Sequence, residues 1–355
     1  MRRPTRQTVT GAHTLLIAGL AVAGCRTQPL LAPDPAEPIF RTERIPAAWD
    51  RYNHTATIVA MPDGELLVAW GSGARELAND TRIVLSRRAP GPDAEWTLPV
   101  TAADTPDRPD ANCVLFLDDA GRLHLLHSVI FGGSFCTSYV EGRTSEDAGM
   151  TWSDGRVALP AVCTLLKNRP IRLRDGRWIL PAYIEASYAS HFYFSFDGGR
   201  IWLPGSPPIV TLPFANLQPA VVQTSSGALL ALMRSTAGAG YTWQGVSLEG
   251  VAWLMTPRPD IPNPGSGLDL LRLTSGHLVM AYNNSTSARS PLVVSISADE
   301  GRTWSPPRTL DAGDGQYSYP SLIESPDGMI HCAYSFRLEA IQHAEFNRAW
   351  LEAAD

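Results

Sequence analysis

The chain has no run of basic residues, no His and Cys cluster at metal-ligand spacing, and no glycine-rich loop placed to cradle a phosphate. Asp and Glu outnumber Lys and Arg by 35 to 29, and the net charge of −6 argues against a nucleic-acid partner. Neither a metal nor another cofactor is expected from this composition. A membrane-spanning segment is also missing, since the apolar stretch from Leu15 to Val22 is too short to cross a bilayer. Cysteines number only five, too few for a disulfide scaffold in a chain of 355 residues.

The amino terminus reads as an export signal. Arg2, Arg3 and Arg6 precede the apolar stretch, which ends in Val22-Ala23-Gly24-Cys25. That ending looks like a bacterial lipobox, with cleavage before Cys25 and lipid on its sulfur; the alternative is an ordinary signal peptide with an incidental cysteine. Lipid would hold the protein on a membrane surface without a transmembrane helix. Arg26 follows where Asp favours inner-membrane retention, so an outer-membrane destination is expected. The expected organisation is a signal at 1–24, a Pro-rich tether at 25–38 and one folded unit at 39–355. Cys113, Cys136, Cys163 and Cys332 allow three connectivities for two bonds, or remain as buried thiols.

What the chain does have is repetition. Ser145 to Trp152 reads SEDAGMTW, Ser195 to Trp202 reads SFDGGRIW and Ser297 to Trp304 reads SADEGRTW. An Asp that caps backbone N–H groups, a Gly for a positive φ and a Trp to anchor the returning strand suit a tight turn between strands. A second repeat runs through the whole folded unit. Six segments share the form apolar strand, turn with glycine, apolar strand, around Gly64, Gly121, Gly176, Gly227, Gly276 and Gly328. Their spacing of about 50 residues matches one four-stranded propeller blade. The fold expected is therefore all-β, a six-bladed β-propeller of four-stranded antiparallel blades. Its last blade is closed by an N-terminal strand within Glu37 to Arg44. An open β-sandwich would not produce six equal periods.

The three boxes resemble the Asp boxes of the sialidase superfamily, and the resemblance covers nearly the whole mature chain. It implies a site at the ring centre, in which three Arg clamp a substrate carboxylate, an Asp is acid/base and a Tyr–Glu pair supplies the nucleophile. On the hairpin turns, Arg234 and Arg289 match the second and third Arg of the clamp. His54 stands where the first Arg is expected, and Ser335 where its supporting Glu is expected. Arg44-Ile45-Pro46 mimics the first motif but lies in the closing strand. Tyr319 keeps the nucleophile's position, whereas its activating Glu is replaced by Gln218. The acid/base must come from the loop GSGARELANDTR, where Asp80 is the first choice and Glu76 the rival, with Arg75 beside either as a further substrate contact.

Other polar residues at comparable strand ends, among them Lys167, Asn168, Arg169, Glu185, Asn263, Ser266, Asp269, Asn283 and Asn284, suggest a polar, sugar-sized pocket. Two readings follow from the resemblance. One is a retaining exo-glycosidase that releases a terminal acidic sugar, with an acidic glycan as partner and a monomeric chain. The other is a glycan-binding propeller that keeps the clamp and has lost the chemistry, with a uronic-acid hydrolase or lyase between the two.

Overall fold

Each of the six strand–glycine–strand segments forms the inner half of an antiparallel sheet. The computed structural model describes residues 37–47, 51–91 and 93–353. The expected leader, Cys25 and most of the tether lie outside these residues. All six hairpin glycines have φ between 76° and 92°, a region that L side chains avoid. In each, the glycine N–H donates to the carbonyl three residues earlier, as in Gly64 to Met61 and Gly328 to Ser325 at 2.9 Å.

Six sheets result, and five of them run outward in chain order from an inner strand. In the sixth, Tyr317–Glu324, Ile330–Phe336 and Ala340–Phe346 are completed by Phe40–Arg44, which pairs antiparallel from Phe40 with Phe346 to Arg44 with Gln342. The N-terminal strand thus closes the ring, as expected. One sheet departs from four strands. The inner strand of the third blade is broken into Thr164–Leu165 and Ile171–Arg172. Pro170 lies in the gap and has no N–H for the ladder.

Successive residues along the inner strands are buried, as in Leu66–Gly73 and Leu123–Ile130, so each sheet has two buried faces, and the core is a set of layers between blades. One layer joins Leu67 and Ile83 to Leu115 and Leu125, and another joins Val114 and Phe116 to Leu180 and Trp202. The layer with Ile58, Val68 and Trp70 against Ile323, Ala333 and Ile341 seals the first blade to the last. Each such Leu or Ile fully buried stabilises by about 1.5–3 kcal/mol.

The Asp boxes sit on outer turns. In the first, Ser145 donates to Asp147 at 2.7 Å, and Asp147 accepts from the Thr151 N–H at 2.8 Å and its hydroxyl at 2.6 Å. The Ser and N–H bonds recur at Asp197 and Asp299, and the hydroxyl bond recurs from Thr303 to Asp299, whereas Ile201 has none to give Asp197. The box Trp wedges into the neighbouring layer, as Trp202 does edge-on to Phe116 at 6.2 Å. None of the three Asp lines the central pocket.

Candidate functional site

A side chain reaches the ring axis because of where its inner strand slips register. In four blades the innermost ladder jumps, between His54 and Thr57, Ala111 and Val114, Leu217 and Ala220, and Ser318 and Ser321. The first residue of each bulge takes a left-handed backbone: Thr55 at φ 58°, Asn112 at 50°, Gln218 at 56° and Tyr319 at 57°. All four are non-glycine, at a cost of about 1–3 kcal/mol each, and all four line one pocket. Each stands nine residues before its hairpin glycine. The same count falls on Lys167 in the third blade and Gly267 in the fifth, so six equivalent positions meet at the axis. Gly267 makes this possible, because a Cβ there would stand 3.1 Å from Gln218 Oε1 and Lys167 Cε and 3.4 Å from Tyr319 Cδ1.

Tyr319 is the centre of the pocket. Arg234 Nη1 donates to its hydroxyl oxygen at 2.8 Å, and Gln218 Nε2 does so at 3.3 Å. Gln218 also donates to Tyr183 at 3.3 Å and accepts from Arg234 at 3.1 Å, while Asn112 donates to Tyr183 at 3.2 Å. Arg289 lies 5.4 Å from the Tyr319 ring centre, and its other contacts are Gln316 and the Gly265 carbonyl. Among the described residues, no carboxylate is within ion-pair distance of Arg234 or Arg289.

His54 and Ser335 form a pair where the resemblance leads one to expect Arg and Glu. Their Nδ1 and Oγ atoms are 2.7 Å apart, and Ser335 also accepts from the Thr55 N–H. The His54 ring packs edge-on to Tyr319 at 4.5 Å. Burial, then the charges of Arg289, Lys167 and Arg234, push its pKa down to about 3, so this position is neutral. Lys167, the chain's only lysine, is buried behind the ring and donates to Asn168 and to the Pro320 carbonyl. Burial pushes its pKa down to about 8 against the pull of Asp269, which itself pairs with Arg169 at 2.9 Å.

The acid side of the pocket differs from the first choice made on sequence. Glu76 is on the pocket wall. Asp80 is not; its carboxylate turns back to accept from the Ala74 N–H at 3.3 Å, and so closes the loop it sits in. Arg75 is likewise off the wall, exposed, with its guanidinium on the Glu76 carbonyl. The Tyr52 phenol faces Glu76, and burial followed by that carboxylate pushes its pKa well above the usual value. Glu185 faces the pocket from the third blade, with its pKa raised by burial against the attraction of Arg234. Arg44 stacks on Phe336 at the outer edge, away from the pocket.

A disulfide joins Cys136 to Cys163, and Cys113 and Cys332 are buried thiols. The bond ties the loop carrying Phe135, which lines the pocket, to the backbone that holds Glu185 through its N–H on the Cys163 carbonyl at 3.0 Å. The sequence reading missed Tyr52, Thr55, Asn112, Phe135 and Tyr183. The nine-residue count to the hairpin glycine would have found Thr55 and Asn112. Tyr52, Phe135 and Tyr183 carry no such signal. Among the described residues, no group of three or more His, Cys, Asp or Glu is placed to hold a metal.

Comparison with known proteins finds relatives of the same fold. The sialidase of Micromonospora viridifaciens is 24% identical over 401 aligned positions, covering 99% of this chain and 61% of that protein. An anhydrosialidase of Macrobdella decora is 23% identical, over 57% of this chain and 30% of its own length. This chain therefore spans about three fifths or less of these relatives. Among solved structures, the intramolecular trans-sialidase of Ruminococcus gnavus in complex with oseltamivir carboxylate superposes with a TM-score of 0.70 at 16% identity, covering 86% of this chain and 96% of that one. The family model of the BNR repeat-like domain matches residues 64–332. The chain belongs to the BNR repeat-like domain family, within the superfamily of sialidase-type six-bladed β-propellers.

Proposed function

We propose that this protein is a sialidase-like exo-glycosidase that releases a terminal acidic sugar, with Tyr319 as nucleophile and Glu76 as acid/base. The observation that carries this reading is the pair Arg234 and Arg289. Arg234 lines the pocket beside the Tyr319 phenol and Arg289 lies 5.4 Å from the Tyr319 ring centre, off the pocket wall, and among the described residues neither is within ion-pair distance of a carboxylate. Such a pair supplies charge-assisted, fork-shaped donors for a substrate carboxylate. The pocket is a small cavity of about 140 Å³ with polar and aromatic side chains on its wall. Its carboxylates are Glu76, Asp110 and Glu185, and Glu185 lies near enough to Arg234 to feel its charge.

In this scheme the Tyr319 hydroxyl loses its proton to solvent, and Oη bonds to the anomeric carbon while the bond to the leaving oxygen breaks. Glu76 gives that oxygen its proton. Water, deprotonated by Glu76, then attacks the same carbon and frees Tyr319, so two inversions give retention.

Gln218 favours a second reading, a non-hydrolytic glycan-binding propeller, because an amide cannot take the Tyr319 proton. A product assay on a panel of sialosides and uronides separates the readings. Release of a free acidic sugar with retained anomeric configuration supports the glycosidase. Turnover of uronides alone overturns the choice of sugar, and binding without turnover selects the second reading. Export with a lipid on Cys25 is a separate proposal that rests on the leader sequence. In Cys25→Ser, loss of labelled fatty acid and of membrane association is expected; unchanged association contradicts it.

A further inference from the structure

The hydrogen bonds around Tyr319 run in one direction only. Arg234 Nη1 at 2.8 Å and Gln218 Nε2 at 3.3 Å both donate to its oxygen, and among the described residues no carboxylate, carbonyl or other acceptor takes its proton. The Gln218 orientation is set by its other partners, since its Oε1 faces Arg234 and its Nε2 faces Tyr183. A phenol oxygen aimed at by two donors, one of them charged, is arranged as an acceptor of both.

We propose that Tyr319 is held as a phenolate by Arg234 and Gln218, so that the nucleophile is ionised before substrate arrives and needs no general base. This deepens the glycosidase reading and rests on it for its catalytic meaning, but the ionised phenol itself does not require turnover. Gln218 acts as a positioning residue: its amide is a donor where a carboxylate would repel the anion.

The surrounding charges agree. Arg289 faces the ring from the fifth blade and Lys167 lies behind it in the third. His54 beside it is neutral, and Asp269 is already paired with Arg169. The carboxylates on the pocket wall are Glu76 of the first blade, Asp110 of the second, which is turned to Thr105 and His127, and Glu185 of the third, with the Tyr52 and Tyr183 phenols on the same wall. Burial raises the Tyr319 pKa, but Arg234, then Arg289 and Gln218, outweigh it and bring it below the usual phenol value. Tyr52, Tyr139, Tyr183, Tyr193, Tyr282 and Tyr334 all move up, chiefly through burial, so Tyr319 is expected to ionise before these six.

The test is a near-ultraviolet tyrosinate titration of the folded protein without substrate. One tyrosine equivalent should ionise before the rest, vanish in Tyr319→Phe, and move to higher pH in Gln218→Glu and in Arg234→Gln. An identical titration in Tyr319→Phe overturns the proposal, as does a downward shift in Gln218→Glu. If turnover is found, kcat/KM should rise with pH through the same step. If the step is present and no glycoside is cleaved, the glycosidase reading fails and the phenolate stands.

Discussion

The rim and the axis of this propeller use repetition in opposite ways. On the rim, three turns repeat one set of bonds with one set of residues, Ser, Asp, Gly and Trp. At the axis, six equivalent positions carry Thr55, Asn112, Lys167, Gln218, Gly267 and Tyr319, no two alike. The backbone is shared, since four of the six are left-handed bulges, yet the chemistry differs at every one. Where a repeat keeps its residues, it builds scaffold; where it keeps its geometry and varies its residues, it builds a site.

The sharpest break of this contrast is Tyr319→Phe. It removes one oxygen at the axis, and on the proposed mechanism it lowers kcat by several orders of magnitude while the melting temperature holds. Steady-state kinetics with calorimetric melting checks it. Glu76→Gln comes next, with an expected loss of roughly 10²–10⁴ in the rate on substrates with poor leaving groups. Asp80→Asn, off the pocket wall, should stay near wild type in the same assay; equal losses would return Asp80 to the mechanism.

A matched pair of glycines sharpens the comparison. Gly267→Ala puts a methyl group between Gln218, Lys167 and Tyr319, and should reduce kcat/KM about 10–100-fold with little change in stability. Gly301→Ala, in a box turn at φ 79° with Leu230 Cδ2 at 2.7 Å from the new Cβ, should cost about 2 kcal/mol of stability and leave kcat/KM unchanged. Denaturant melts and kinetics on both variants decide it.

The smallest effect is acid sensitivity of the rim. Hydrogen bonds from the Thr151 hydroxyl and N–H hold the Asp147 pKa down to about 2, below its ordinary 3.8. Asp197 and Asp299 are also held down, against burial, by their box N–H and hydroxyl donors. The folded pKa lies below the unfolded one, so this stabilisation is complete above 3.8 and is lost as pH falls toward about 2. Thermal melts across that window should show the decline, and Asp299→Asn should weaken it.

Much of the rim was legible in the sequence, because turn chemistry there is local. Gly64 to Gly328 gave the six hairpins, and the boxes gave three of the outer turns. The closing strand was legible too, from a lone strand at Ala340 to Phe346 that lacked a neighbour. The axis was legible only where a residue type is rare enough to stand out, as with Tyr319, Arg234 and Arg289. Asp80 and Glu76 were not separable, since which carboxylate faces inward depends on how the loop folds on Ala74. The broken inner strand of the third blade and the Cys136–Cys163 bond were also hidden, because both depend on where separate blades place their loops.

The account stands most directly on the unpaired guanidinium groups at the axis, and calorimetric titration of free sialic acid into wild type and Arg234→Ala tests them. Wild type should bind, and the variant should lose roughly 2–5 kcal/mol of that binding at unchanged stability. Equal affinity in both proteins would contradict the claim that the axial ring is a clamp for an acidic sugar.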